Sequence, residues 1–186
     1  MKNKLIAIFA VLSFYGWGLT SCSHTSKNKV ITEVCTRETY DVNLKDYGAE
    51  PTVLDIDAYT LTNDNFRTAI WTGKKLQVTV MSIPVGGDVG LEQHPDTDQF
   101  LRIEDGNAKV MMGDKKDSLT FIVNVAKDYA IFVPAGKWHN IINTGERTLK
   151  LYSVYSPAEH PRGTVHKTQG EANASEFHHY ELLIID

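Results

Sequence analysis

Cysteine is nearly absent from this 186-residue chain: only Cys22 and Cys35 occur, too few for a disulfide framework. A packed core has to hold the fold instead, and the length suffices for one domain with a substantial core. Basic blocks and stripes of Arg or Lys are also missing, which sets nucleic acid aside as a partner. The formal charge is only −4, and 42% hydrophobic with 23% charged residues is an ordinary globular composition. Serine, asparagine, proline and glycine are scattered rather than massed, and no internal repeat is present. Helical pattern is scarce, limited to a short stretch opening near Asp55 and another from Glu171 to Phe177.

The N-terminus belongs to targeting rather than to the fold. Lys2 and Lys4 make a positive start, and the mostly apolar run from Leu5 to Leu19 is too short for a membrane span. Its end, Leu19-Thr20-Ser21-Cys22, resembles the bacterial lipobox. That resemblance implies removal of residues 1–21 as a signal peptide and diacylation of Cys22; the alternative is an ordinary secretory peptide with a chance cysteine. The expected product is exported and lipid-anchored at a bacterial membrane, on its periplasmic face or at the cell surface. Contact with the membrane is through Cys22 alone, and residues 22–29 read as a polar tether. Cys35 then has no partner for a disulfide and reads as incidental.

From residue 66 onward the chain is punctuated into short strands. Val30–Val34 is an earlier candidate, and Phe66–Trp71 is the first clear one. From Leu76 the period is two, with Leu76, Val78 and Val80 on one face and Gln77, Thr79 and Met81 on the other. Gln99–Glu104, Ala108–Met112, Leu119–Val125, Ala130–Val133 and Thr148–Ser156 follow. The polar loop Gly113–Ser118 marks a hairpin. Strands at this spacing predict an all-β barrel or sandwich.

Between two of these strands lies the run from Gly87 to Gly106. Alternate side chains of an extended segment share a face, so Glu92 and His94 point the same way. Pro95, Asp96 and Thr97 interrupt, and Gln99 opens the next strand, with Asp98 directed to its opposite face. An acid, an imidazole and an amide converging from neighbouring strands make a candidate metal pocket that needs a fourth donor. His139, forty residues past Gln99, follows the turn Pro134-Ala135-Gly136 and has Asn143 beyond it. A lone histidine there reads as a packed core residue; matched with the first run, it reads as a ligand.

Together these runs resemble the two cupin motifs. Glu92-x-His94-x4-Gln99-x6-Gly106 has the spacing of the first, and Asp128-x5-Pro134-x-Gly136-x2-His139-x3-Asn143 that of the second. Three identities depart: Glu92 replaces a histidine, Gln99 the glutamate and Asp128 a glycine. The stretches Glu92–Pro95, Asp98–Arg102, Pro134–Asn140 and Glu159–His166 also resemble a subgroup of small bacterial cupins, some labelled sugar-phosphate isomerase-like. The resemblance implies a double-stranded β-helix, a jelly-roll barrel over residues 66–157. Extensions at 30–65 and 158–186 flank it.

It also implies a divalent metal, Zn, Mn or Fe, held by Glu92, His94, Gln99 and His139. Two oxygens and two nitrogens form a harder set than three histidines and a glutamate. The same inventory resembles the zinc site of cupin-type mannose-6-phosphate isomerases, with acid and amide exchanged. The expected function is metal-assisted isomerisation or lyase chemistry on a small polar, sugar-like ligand. A non-catalytic ligand-binding or scaffold cupin is the alternative, and a metal-dependent oxygenase ranks lower because two histidines are few for its iron. The family also implies a homodimer.

Around this set, the polar loop Glu159–His166 offers His160 or His166 as acid/base groups, or else merely stabilises the barrel. Arg102 faces away from Gln99 and is expected in a salt bridge. Trp138 is expected to pack outside the barrel, as are Phe100 and Ile141 to pack rather than act. Tyr129, Tyr152 and Tyr155 are expected in the core, and His178 and His179 at the surface.

Overall fold

A computed structural model describes residues 41–175, all within one compact unit, Tyr40–Asp186. The expected signal peptide, tether and Val30–Val34 strand, both cysteines, the end of the expected Glu171–Phe177 helix and His178–His179 lie outside the described residues. Helix α1 spans Ile56–Thr62, and nine strands follow: β1 Arg67–Thr72, β2 Gln77–Ile83, β3 Asp98–Asp105, β4 Asn107–Gly113, β5 Phe121–Ala126, β6 Ala130–Val133, β7 Trp138–Asn143, β8 Leu149–Ser156 and β9 Val165–His166. They form a six-stranded sheet ordered β6-β3-β8-β2-β1-β9 and a three-stranded sheet ordered β5-β4-β7, antiparallel throughout. Residues 169–175 are helical, and no helix among the described residues is long and apolar enough to cross a membrane.

Cross-strand partners share a face, so the registers stack the interior of the large sheet into rungs. Gln77, Tyr155, Gln99 and Val133 make the first, across β2, β8, β3 and β6. Thr79, Ser153, Leu101 and Ile131 make the second; Met81, Leu151 and Ile103 the third; Ile83 and Leu149 close the series. All are buried. The interior therefore grades from polar at one end to purely aliphatic at the other. The aliphatic end joins Val89, Ala108, Val110, Met112 and Ile141 in one core cluster. Each such side chain contributes about 1.5–3 kcal/mol on burial. This end carries the stability, and the polar end is left free for chemistry.

The outer face of the same sheet is covered as well. Val80 and Ile70 pack with Tyr59 of α1, joined by Val42, Leu44, Tyr47, Leu54 and Ile56. Asp55 caps α1 by accepting from Ala58 N at 3.2 Å. The expected helix near Asp55 is thus present, and it explains why both faces of β2 are apolar or buried.

Several packing expectations need correction. Tyr155 is fully buried in the barrel and Tyr152 packs against the outer-face cluster beside Phe100, but Tyr129 is exposed. β5 starts at Phe121 rather than Leu119, and Phe121, Ile122 and Val123 are exposed because β5 is the outer strand of the small sheet. β3 alternates in burial until a bulge between Ile103 and Asp105, where Glu104 is buried and pairs with Arg102. Arg102 does face outward, bonded to Glu104 and, at 2.6 Å, to Asp128.

Asp128 explains one motif departure. Its φ is +71°, the left-handed conformation for which a glycine is usual and which Asp tolerates better than most residues. The ion pair with Arg102 fixes it there. Gly106 has no such substitute: φ is +97°, and an added Cβ would meet Leu149 Cα at 3.2 Å. Gly106→Ala is expected to cost about 1–3 kcal/mol and lower the thermal midpoint by several degrees. An unchanged midpoint in a thermal melt contradicts this reading of the β3–β4 turn.

Candidate metal centre

The segment after β2 does not form the strand expected for it. It runs along β7 through two isolated bridges, Asp88 to Ile142 and Glu92 to His139. At the second, Glu92 N donates to His139 O at 3.0 Å and His139 N to Glu92 O at 2.9 Å. Directly opposed residues put their side chains together on one face. Gly136 N, in the turn before β7, donates to His94 O at 2.8 Å, which fixes His94 beside them. Asn143 secures the far end, donating from Nδ2 to Ile83 O, Pro84 O and Arg147 O at 2.9–3.1 Å.

The result is a triad. One ligand atom each from Glu92, His94 and His139 lies within 4.8 Å of the others. Glu92 Oε1 is 3.3 Å from both Nε2 atoms, yet neither buried nitrogen makes an aligned hydrogen bond. The opposite ring atoms are spoken for. His139 Nδ1 is 3.0 Å from Lys137 O, and His94 Nδ1 is 3.0 Å from Glu159 Oε1. Both Nδ1 atoms thus donate outward and both Nε2 atoms are directed at the triad, as metal-bound histidines are held by outer partners. Three converging donors with unsatisfied atoms fit a divalent cation, and the chain can bind one here.

The electrostatics fit as well. Burial alone would raise the pKa of Glu92, but His139, His94 and the nearby Arg67 charge outweigh it and hold the carboxylate well below its usual range. Arg67 Nη2 is 3.8 Å from Glu92 Oε2, leaving Oε1 to face the histidines. Burial opposes protonation of His94, yet Glu159 and Glu92 raise its pKa to about 9. Glu159 is lowered, with His94 and Thr97 overcoming its burial.

Above this triad lies the strap formed by residues 157–166. Gln77, fully buried on β2, grips it: Nε2 donates to His160 O at 2.8 Å, and Oε1 accepts from His160 N at 2.9 Å and Glu159 N at 3.3 Å. Glu159 reaches His94 from there, and His160 packs edge-on against Tyr155 with ring centres 5.1 Å apart. Burial and the Arg67 charge push the His160 pKa well below its ordinary value, so its ring is neutral. Burial pushes the Tyr155 phenol up to about 12. Ser153, two residues back on the same face, influences that phenol but makes no hydrogen bond of ordinary length with it.

The other expected residues divide. Gln99 is in the polar rung; Nε2 donates to Ser153 Oγ at 3.0 Å, while Oε1 is buried without a partner. Asp98 points away, as expected, accepting from Ala135 N. Trp138 lies outside under Lys116. His160 is half-buried at the site, with its Nε2 atom buried. His166 is only half-buried, in β9, with Nε2 3.1 Å from Ser175 Oγ. Sequence reasoning missed Arg67, Gln77 and Glu159. The period-two face shared by Gln77, Thr79 and Met81 would have placed Gln77 inward; nothing in the sequence singled out Arg67.

The fold and site define a double-stranded β-helix with a metal-competent Glu/His triad at its polar end. A Cupin domain matches residues 79–155. The chain is 59% identical over 133 residues to YrkC of Bacillus subtilis, an uncharacterized protein, with 72% of each covered. The crystal structure of BH2720 from Bacillus halodurans is 55% identical and superposes with a TM-score of 0.69 over 70% of this chain and 98% of that one. A double-stranded β-helix protein from Klebsiella pneumoniae shares the fold alone, at 16% identity and a TM-score of 0.50 over 64% of this chain and 94% of that one. The chain belongs to the cupin family.

Because the folded protein raises the His94 pKa from 6.5 to about 9, its protonated form stabilises the metal-free protein fully below 6.5, and the contribution is lost as the pH rises to about 9. A metal has to displace this proton, so apparent affinity is expected to rise about tenfold per unit between pH 6 and 8. Zinc titration calorimetry across that range checks it; a flat profile contradicts the assignment of His94.

Proposed function

We propose that Glu92, His94 and His139, completed by Gln99, hold a divalent zinc, manganese or iron ion, and that the chain is an enzyme that isomerises or cleaves a small polar, sugar-like molecule. The observation that carries this reading is the convergence of three donors within 4.8 Å, two of them buried histidines whose Nε2 atoms are unpaired. The partnerless Oε1 of Gln99 supports it as the fourth donor. A bound ion at this position supplies Lewis-acid polarisation of a carbonyl or hydroxyl.

The chain's own groups supply the rest. His160 is neutral and carries a buried, unpaired Nε2, so it is the proton acceptor; His166, half-buried and bonded to Ser175, has no part in the transfer. Tyr155 keeps its proton and donates it. Glu159 holds the His94 ring, and the strap excludes water from the reacting atoms. Export through the Cys22 lipid anchor places the substrate outside the cytoplasm and weighs against phosphorylated sugars. A second copy pairs along the exposed apolar edge of β5.

Elemental mass spectrometry of the chain purified without chelators tests the reading. Wild type is expected to carry close to one metal per chain, His139→Ala essentially none, and Gln99→Ala a metal bound tenfold or more weaker. A metal-free wild type, unchanged by His139→Ala, overturns it.

A further inference from the structure

Whatever reaches the triad has to pass a part of the protein that moves. His139 is fully buried and His94 nearly so. The β2–β8–β3 and β4–β7 ladders close the flanks, and the aliphatic rungs fill the far end. The strap differs from both. Residues 157–164 belong to no strand, and none of them is buried. Segments with so little buried surface open first, ahead of the core.

A run of hydrogen bonds holds the strap down from outside the barrel. Gln77 Oε1 accepts from the backbone of Glu159 and His160, and its Nε2 donates onward to Thr72 Oγ1 at 3.0 Å. Thr72 Oγ1 donates to Asp46 Oδ2 at 2.5 Å, and the same oxygen accepts from Gly163 N at 2.9 Å. The run thus begins and ends on the strap, with the Asp46 carboxylate as its final acceptor. Asp46 is itself fixed, since Oδ1 accepts from Gly48 N at 2.7 Å. Burial alone would raise its pKa, but the bonds from Thr72, Gly163 and Gly48 and the Arg162 charge hold it below the usual range. Arg162 of the strap lies against Gly48 so closely that a Cβ there would stand 2.0 Å from its Nη2. Hydrogen bonds that end on a charged acceptor are the stronger kind. Lifting the strap would also strip the fully buried Gln77 of its partners, so the strap leaves as a unit or not at all.

We propose that the strap is a lid hinged between β8 and β9, that Asp46 latches it shut through Thr72 and Gln77, and that release of this latch sets how fast an ion enters or leaves the triad. The identity of the ion's site rests on the metal reading; the latch does not. Asp46 touches no member of the triad. It acts only through the strap, which carries Glu159 to His94.

Hydrogen exchange of the metal-free chain reads the latch without any ion. Asp46→Ala is expected to speed exchange about tenfold at the Glu159 and His160 amides, which Asp46 does not touch, with the β3 and β8 amides as in wild type. In the zinc-loaded chain the same variant is expected to lose zinc to a chelator about tenfold faster. Its equilibrium affinity is expected to change less, because entry speeds up with release. Gly106→Ala, at the aliphatic end, controls for general destabilisation and is expected to leave both rates as in wild type. Unchanged exchange at Glu159 and His160, unchanged zinc release, or equal acceleration in Gly106→Ala overturns the lid and leaves the metal reading standing. A wild type that takes up no zinc brings down the metal reading and the gating of its ion together.

Discussion

Everything at the functional end of this barrel depends on one two-residue contact, the antiparallel bridge between Glu92 and His139. It is not part of a ladder; the flanking residues of the 86–94 segment make only scattered bonds to β7. Yet it welds together two segments nearly fifty residues apart and forces their side chains onto one face. Once they are opposed, the turn at Gly136 brings His94 alongside, and a carboxylate finds itself against two imidazoles. Loss of that bridge would release Glu92 from His139, while β7 stays paired with β4.

Buried charges here are arranged in nested pairs rather than neutralised singly. Glu92 presents one oxygen to the histidines while Arg67 faces the other. His94 turns its remaining nitrogen to Glu159, which the strap carries and Gln77 fixes. Such pairs rarely add net stability, because desolvation offsets most of the attraction. Their worth lies in orientation: each donor is held by a group behind it. The fold tolerates the arrangement because the aliphatic rungs from Leu101 to Leu149 supply the core independently.

Much of this was legible in the sequence, and the limits are physical. Strand positions followed from period-two runs and their Gly and Pro stops; β6 matched to the residue, whereas β5 began two residues late. Motif spacing brought out Glu92, His94 and His139, which converge, because turn geometry ties spacing to direction. Burial of both faces of β2 was not readable, since it depends on α1 and residues 42–56 folding across from outside. Arg67 was invisible for a similar reason: an arginine opening a strand looks solvated until β9 and the strap cover it. The exposed face of β5 escaped notice because apolar residues on an outer strand read like any core strand.

The account stands or falls on how the triad holds its cation. X-ray absorption fine structure of the zinc-loaded chain measures the shell directly. The account predicts two imidazole ligands with oxygen donors, all at about 2.0–2.2 Å, and one imidazole fewer in His139→Ala. A shell of three or more imidazoles, a sulfur donor, or a spectrum unaltered by His139→Ala would contradict it.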